Sequence, residues 1–220
     1  MLAVLGAAIQ QPAQPTAAAT PPANENSTPA EIKESVYTND LGFTYSYTTD
    51  WKVIDSKPLL PAVRLNGEDK AVNNSEKEAA QCLQVPLILR RGTPVSSIVT
   101  VVIPYDCLGK KFDTSDLASF GSGVASGMKR GFDVAEPSYG AYKLGKHSLW
   151  IERTQGTSKA HPDLMFKIET VCSLLKKGAV CWMGMVQDEI TLKAFEQGLV
   201  SIEGDAPQAL VPSNAFALGK

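Results

Sequence analysis

Few side chains in this 220-residue chain could do chemistry. Its two histidines, His147 and His161, are the groups whose ordinary pKa suits proton transfer near neutrality. His147 follows a glycine turn at Gly145, where a solvated imidazole is expected. Glu152 and Glu169 could share a sheet face as paired carboxylates do in glycosidases, but Arg153 and Lys167 stand beside them and surface ion pairs are the better expectation. The run Gly121-Ser-Gly-Val-Ala-Ser-Gly127 lacks the dinucleotide spacing and the Lys-Ser/Thr of a phosphate loop, and it falls within a helical period. Close packing of a helix on a sheet accounts for it. There is no Gly-x-Ser-x-Gly elbow and no His-x-x-x-His pair. No catalytic, cofactor-binding or metal-binding residue is assigned, and no cofactor is implied. The remaining chemistry is that of Cys82, Cys107, Cys172 and Cys181. No Cys-x-x-Cys occurs, which argues against a zinc knuckle or a redox pair. Four cysteines permit three disulfide connectivities; the local pairs Cys82–Cys107 and Cys172–Cys181 fit the strand pattern best.

That pattern is clearest over 163–202. Phe166, Ile168, Thr170 and Cys172 alternate with Lys167, Glu169 and Val171, as in a strand with one mostly buried face. The return run alternates Ala179, Cys181, Met183 and Met185 with Val180, Trp182, Gly184 and Val186, so both its faces are apolar, as in a strand covered on two sides. A four-residue loop over 175–178, with Gly178 at positive φ, would set Cys172 opposite Cys181. A tight Lys177-Gly178 turn would set it opposite Met183. Asp188 can then cap a helix in which Leu192, Phe195, Leu199 and Ile202 recur at helical spacing until Gly204.

The composition, 44% hydrophobic and 20% charged, supplies one domain's core. A net charge of −2 argues against a nucleic-acid partner, and no apolar run is long enough for stable membrane insertion. Residues 1–9 read as the remnant of a signal peptide or an apolar terminus, and 10–35, rich in Ala, Pro and Thr, as a disordered linker. The globular α/β domain spans 36–204, with 205–220 as a tail that could dock. Paired cysteines, taken with the signal reading of 1–9, lead to the expectation of a secreted or periplasmic setting. The Asn-x-Ser/Thr matches at Asn26 and Asn73 are frequent by chance.

Along the chain, Phe43, Tyr45 and Tyr47 mark one strand, and Trp51 and Val53 open another. Segment 57–81 is a polar insertion with a short helix at 75–81, where Ser75 and Glu78 form a capping box. Residues 83–91 and 97–104 form a hairpin through Gly92-Thr-Pro. A helix opened by Ser115 carries Leu117, Phe120, Val124 and Met128 on one face, and a further hairpin turns on Gly145. The run Asn39-Asp-Leu-Gly-Phe-Thr-Tyr-Ser-Tyr47-Thr-Thr-Asp-Trp51 resembles the opening of the PsbP/Mog1-like family, in which an aromatic-rich strand ends in Tyr-Pro-x-x-Trp; Thr48 stands where that family has proline. The order of elements over 36–202, with its glycine-turned middle hairpin and closing Phe195-Glu196 helix, is similar too. The resemblance implies an α+β fold, an antiparallel sheet flanked by helices in an α/β/α sandwich. It also implies action by binding partners.

The expected function is therefore a secreted or periplasmic, non-catalytic binding module of unknown protein partner, stapled by two disulfides. The insertion 57–81 is the candidate contact surface. Trp51, Trp150 and Trp182 are expected in the core. The alternative is a carrier of a small apolar ligand held between the sheet and the glycine-notched helix; a hydrolase-type enzyme comes third.

Overall fold

The computed structural model describes residues 33–58, 60–69, 71, 73–213 and 215. The signal remnant, most of the expected linker and Asn26 lie outside the described residues. In chain order the elements are β1 (Glu34–Asn39), β2 (Phe43–Thr48), β3 (Lys52–Val53), α1 (Leu60–Glu68), α2 (Asn74–Cys82), β4 (Gln84–Arg91), β5 (Ser96–Pro104), α3 (Tyr105–Leu108) and α4 (Asp116–Lys129). They continue with β6 (Phe132–Val134), β7 (Ser138–Leu144), β8 (His147–Ser158), β9 (Met165–Leu174), β10 (Gly178–Val186), α5 (Glu189–Glu196), β11 (Leu199–Ile202) and β12 (Gln208–Ala209). Strand β1 starts inside the stretch read as linker, so the folded part begins before Val36.

Eight strands form one antiparallel sheet in the order β3-β4-β5-β10-β9-β8-β6, with β7 also paired to β8. The expected α+β architecture is present, with α1–α4 on one face of this sheet and α5 on the other. A second sheet, β1-β2-β11-β12, shares the α5 face. Two-sided cover explains β10. Its Val180, Trp182 and Val186 enter the core under the small sheet and α5, while Cys181 and Met183 pack beneath the helices of the opposite face. All three tryptophans are buried.

Several expectations are corrected. The helix expected to run to Ile202 stops at Glu196, and Leu199–Ile202 is strand β11. Gly198 lies against the Tyr45 ring, where a Cβ would come within 2.7 Å of it. Val200 and Ile202 then pair with Tyr45 and Phe43, leaving Leu199 on the outer side. The cap of α2 is Asn73, whose Oδ1 accepts from the Glu76 amide at 2.9 Å, not Ser75 with Glu78. The insertion also holds a helix, α1, in a stretch where Pro58 and Pro61 read as punctuation. Gly178 is needed for close approach rather than for positive φ: a Cβ there would meet the Ile103 carbonyl at 2.7 Å. Residues 205–213 and 215 dock, with Leu210 and Ala215 buried in the main core and the Tyr142 hydroxyl donating to the Leu210 carbonyl at 2.6 Å.

Candidate functional site

Strand β7 and the first half of α4 enclose a groove of about 610 Å³ at the edge of the large sheet. Its position follows from pairing. Ala141 lies opposite Trp150, and Lys143 opposite Ser148, so the alternation of β7 and β8 turns all four toward α4. Leu117 and Ala118 of α4 form the wall, and Pro212 closes the edge. Ala118, Ala141 and Ser148 are small, and that leaves room beside the Trp150 ring. Gly121 lets α4 settle onto the same ring: a Cβ would lie 2.2 Å from Trp150 Cε3. Gly123 and Gly127 have no such neighbour, so only Gly121 performs the packing role read for the run. Leu117, Phe120 and Val124 do face the sheet; the Met128 side chain lies outside those described.

A smaller recess of about 170 Å³ continues the groove past Thr114 and Ser148 to Lys146 and His147. His147 is buried, contrary to the solvated turn residue expected, because the chain after β11 covers the start of β8. Its Nε2 lies 3.3 Å from Asp205 Oδ2, and Lys146 Nζ lies 3.1 Å from Asp205 Oδ1. The Lys146 hydrogen bond, helped by the Lys146 and His147 charges, holds the Asp205 carboxyl below its usual range. The imidazole and carboxylate stand on the small-sheet side, whereas Ser148, the next residue along the strand, points to α4. The dyad therefore does not align with the adjacent hydroxyl as a nucleophile–base pair would require. His161 is exposed in the turn beyond the other end of β8 and does not meet His147.

The two carboxylates do not share a face. Glu152 pairs with Thr170 and Glu169 with Arg153 across β8 and β9, so Glu152 and Glu169 point to opposite sides. Nor are they surface groups. Glu152 is 3% exposed and bonded to Lys129 of α4 at 2.5 Å. Glu169 is 0% exposed and accepts from Arg153 Nε at 2.6 Å; Arg153 also holds Glu196 at the end of α5. Burial, reinforced by the Glu196 carboxylate and opposed by Arg153, pushes the Glu169 pKa up to about 8. The alternation Lys167-Glu169-Val171 resembles a solvent face, and only the cover provided by α5 reverses that reading.

The cysteines are joined as Cys82–Cys107 and Cys172–Cys181. Of the two registers open to the 163–186 hairpin, the structure has the one that sets Cys172 opposite Cys181. Both of those residues are fully buried beneath α4. Cys82 and Cys107 lie in α2 and α3, so their bridge ties helix to helix at the foot of the insertion rather than strand to strand. Above that bridge α1 and α2 pack on each other. Arg64 Nε donates to the Leu83 carbonyl at 2.9 Å, and Leu65 stands 60% exposed. Among the described residues, no cluster of three or more His, Cys, Asp or Glu side chains could hold a metal ion, and no helix is long and apolar enough to cross a membrane.

Fold and geometry thus define a disulfide-bonded α+β domain with an edge groove and an anchored helical pair. No protein-family model and no curated protein matches the chain. Among solved structures it is similar to the solution structure of cyanobacterial PsbP (CyanoP) from Synechocystis sp. PCC 6803. The similarity has a TM-score of 0.41 at 12% identity, and it covers 77% of this chain and 92% of that one. A likeness of that size assigns this chain neither a family nor a partner.

Proposed function

We propose that this chain is an exported, non-catalytic binding module whose α1–α2 pair contacts a protein partner. The observation that carries the reading is the anchoring of this pair. It is held at its foot by Cys82–Cys107 and by Arg64, and it presents Leu65 to solvent. A rigid foot lowers the entropy lost when such a surface is engaged, and an exposed leucine supplies apolar area to bury there. The two disulfides support an oxidising compartment. The test is photocrosslinking in the native host with a photoreactive residue at Leu65, set beside lysine-directed crosslinking of the parent chain and of a chain in which 58–81 is replaced by a short Gly-Ser linker. A partner captured at position 65 and lost from the lysine crosslinks on loop replacement supports the reading; loop replacement that spares every lysine crosslink, with no adduct at position 65 of the parent, overturns it.

A second reading, a carrier of a small apolar ligand, is favoured by one observation. The groove beside Trp150 opens where the glycine-notched helix meets the sheet, and its size falls within the roughly 300–1,000 Å³ of small-molecule sites. Ligand extracted with the native protein under mild conditions and identified by mass spectrometry tests it. Solvent extracts identical to those of a protein with the groove filled would refute it.

A further inference from the structure

The geometry points to a small anionic amphiphile as the occupant of the α4–β7 groove: one carboxylate-like head on an apolar body. This rests on the carrier reading and adds the ligand's chemistry. The groove is chemically two-ended. Trp150, Ala141, Leu117, Ala118 and Pro212 make an apolar trough, while Lys143, Ser148 and Thr114 cluster where the groove runs into the His147 recess. Lys143 and Ser148 are cross-strand partners, so ammonium and hydroxyl project from the same side of the sheet.

The cation is uncommitted. Lys146 is bound to Asp205 and Lys129 to Glu152, but Lys143 has no ion-pair partner among the described residues. The acidic side chains near the start of α4 do not line the groove. Asp113 accepts from the Ser115 amide and hydroxyl, and Asp116 accepts from the Asp113 amide. An ammonium and two hydroxyls offer donors to an anionic head. The trough offers apolar and aromatic surface to a chain or ring, with no second ionic group for a zwitterion.

The test is calorimetric titration of the full, disulfide-intact chain with dodecanoate, dodecanol and dodecylammonium, each below its aggregation threshold. Dodecanoate is expected to bind most tightly. Lys143→Glu is expected to weaken dodecanoate about three- to tenfold, the span between losing and reversing an exposed ion pair, while leaving dodecanol unchanged. Ala118→Phe, at an exposed helix position, is expected to block all three by filling the trough. Equal binding of dodecanol and dodecanoate, or a Lys143→Glu chain that keeps its dodecanoate affinity, overturns the anionic assignment while the carrier reading stands. Tighter binding of dodecylammonium overturns the assignment likewise. Failure of all three probes on the parent chain overturns both.

Discussion

Glu169 gives the sharpest test of how the sheet and α5 are held together. Its carboxyl is fully buried; one oxygen accepts from Arg153, and Oε1 has no hydrogen-bond partner. The perturbation is Glu169→Gln, which keeps the shape and removes the titration. With its pKa raised from an ordinary 4.5 to about 8, the native chain binds more protons than the unfolded chain between those values. Stability from this group is therefore fully present below about pH 4.5 and is lost as pH rises through about 8. At about 1.36 kcal/mol per pH unit, the ceiling is on the order of 5 kcal/mol. Arg153 is 36% exposed, so water takes up part of the strain, and a loss of about 2–3 kcal/mol is the working figure. The assay is urea unfolding followed by tryptophan fluorescence from pH 5 to 9, with disulfides intact. The parent midpoint should fall across this range, and the Glu169→Gln midpoint should fall less and cross above it on the alkaline side. The two chains differ in no other ionisable group, so the difference between the two curves isolates Glu169 and its Arg153–Glu196 partners. A difference that does not change with pH, or one that widens in the parent's favour as pH rises, refutes the reasoning.

Three further outcomes follow from the packing. Gly121→Val should lower stability by about 1–3 kcal/mol, because the added atoms enter the Trp150 ring and α4 must lift; the Gly123→Val melting temperature serves as the control, since nothing crowds that position. Asp188→Ala should cost about 1 kcal/mol by removing the acceptor of the Thr191 amide, bonded at 2.7 Å. That contribution is present above the ordinary carboxylate range and is lost as pH falls through the lowered Asp188 pKa, so the cost of the substitution in a urea melt should shrink as pH falls below that range. Under native conditions dilute dithiothreitol should open Cys82–Cys107 first, because Cys107 is exposed while Cys172 and Cys181 are fully buried. Alkylation and peptide mass spectrometry read the order, and simultaneous opening of both bridges would contradict the burial argument.

The correct and incorrect expectations separate along a physical line. Features set by neighbours in the chain were legible: the two-faced apolar alternation of 179–186, the Gly145 turn, the Asp188 cap and the helical face of Leu117, Phe120 and Val124. Each depends on backbone periodicity or local hydrogen bonding, which residue types carry with them. The groove was legible only in part. Gly121 marked a close helix–sheet contact, but the Ala141–Trp150 and Lys143–Ser148 pairs exist only once β7 is zipped to β8.

What the tertiary structure decided came from contacts distant in sequence. Leu199 and Ile202 continue a helical spacing, yet Tyr45 crowds Gly198 and β2 supplies an open edge, so the run becomes a strand. Lys167 and Glu169 alternate like surface residues, yet α5 and Arg153 enclose Glu169 and raise its pKa. His147 sits beside a turn, yet the chain after β11 folds over it. By itself the sequence determined which segments could be strand or helix and which faces were apolar. Which apolar face meets which, and therefore which polar groups are left inside, depends on desolvation by partners far along the chain, and only the folded structure supplies those partners.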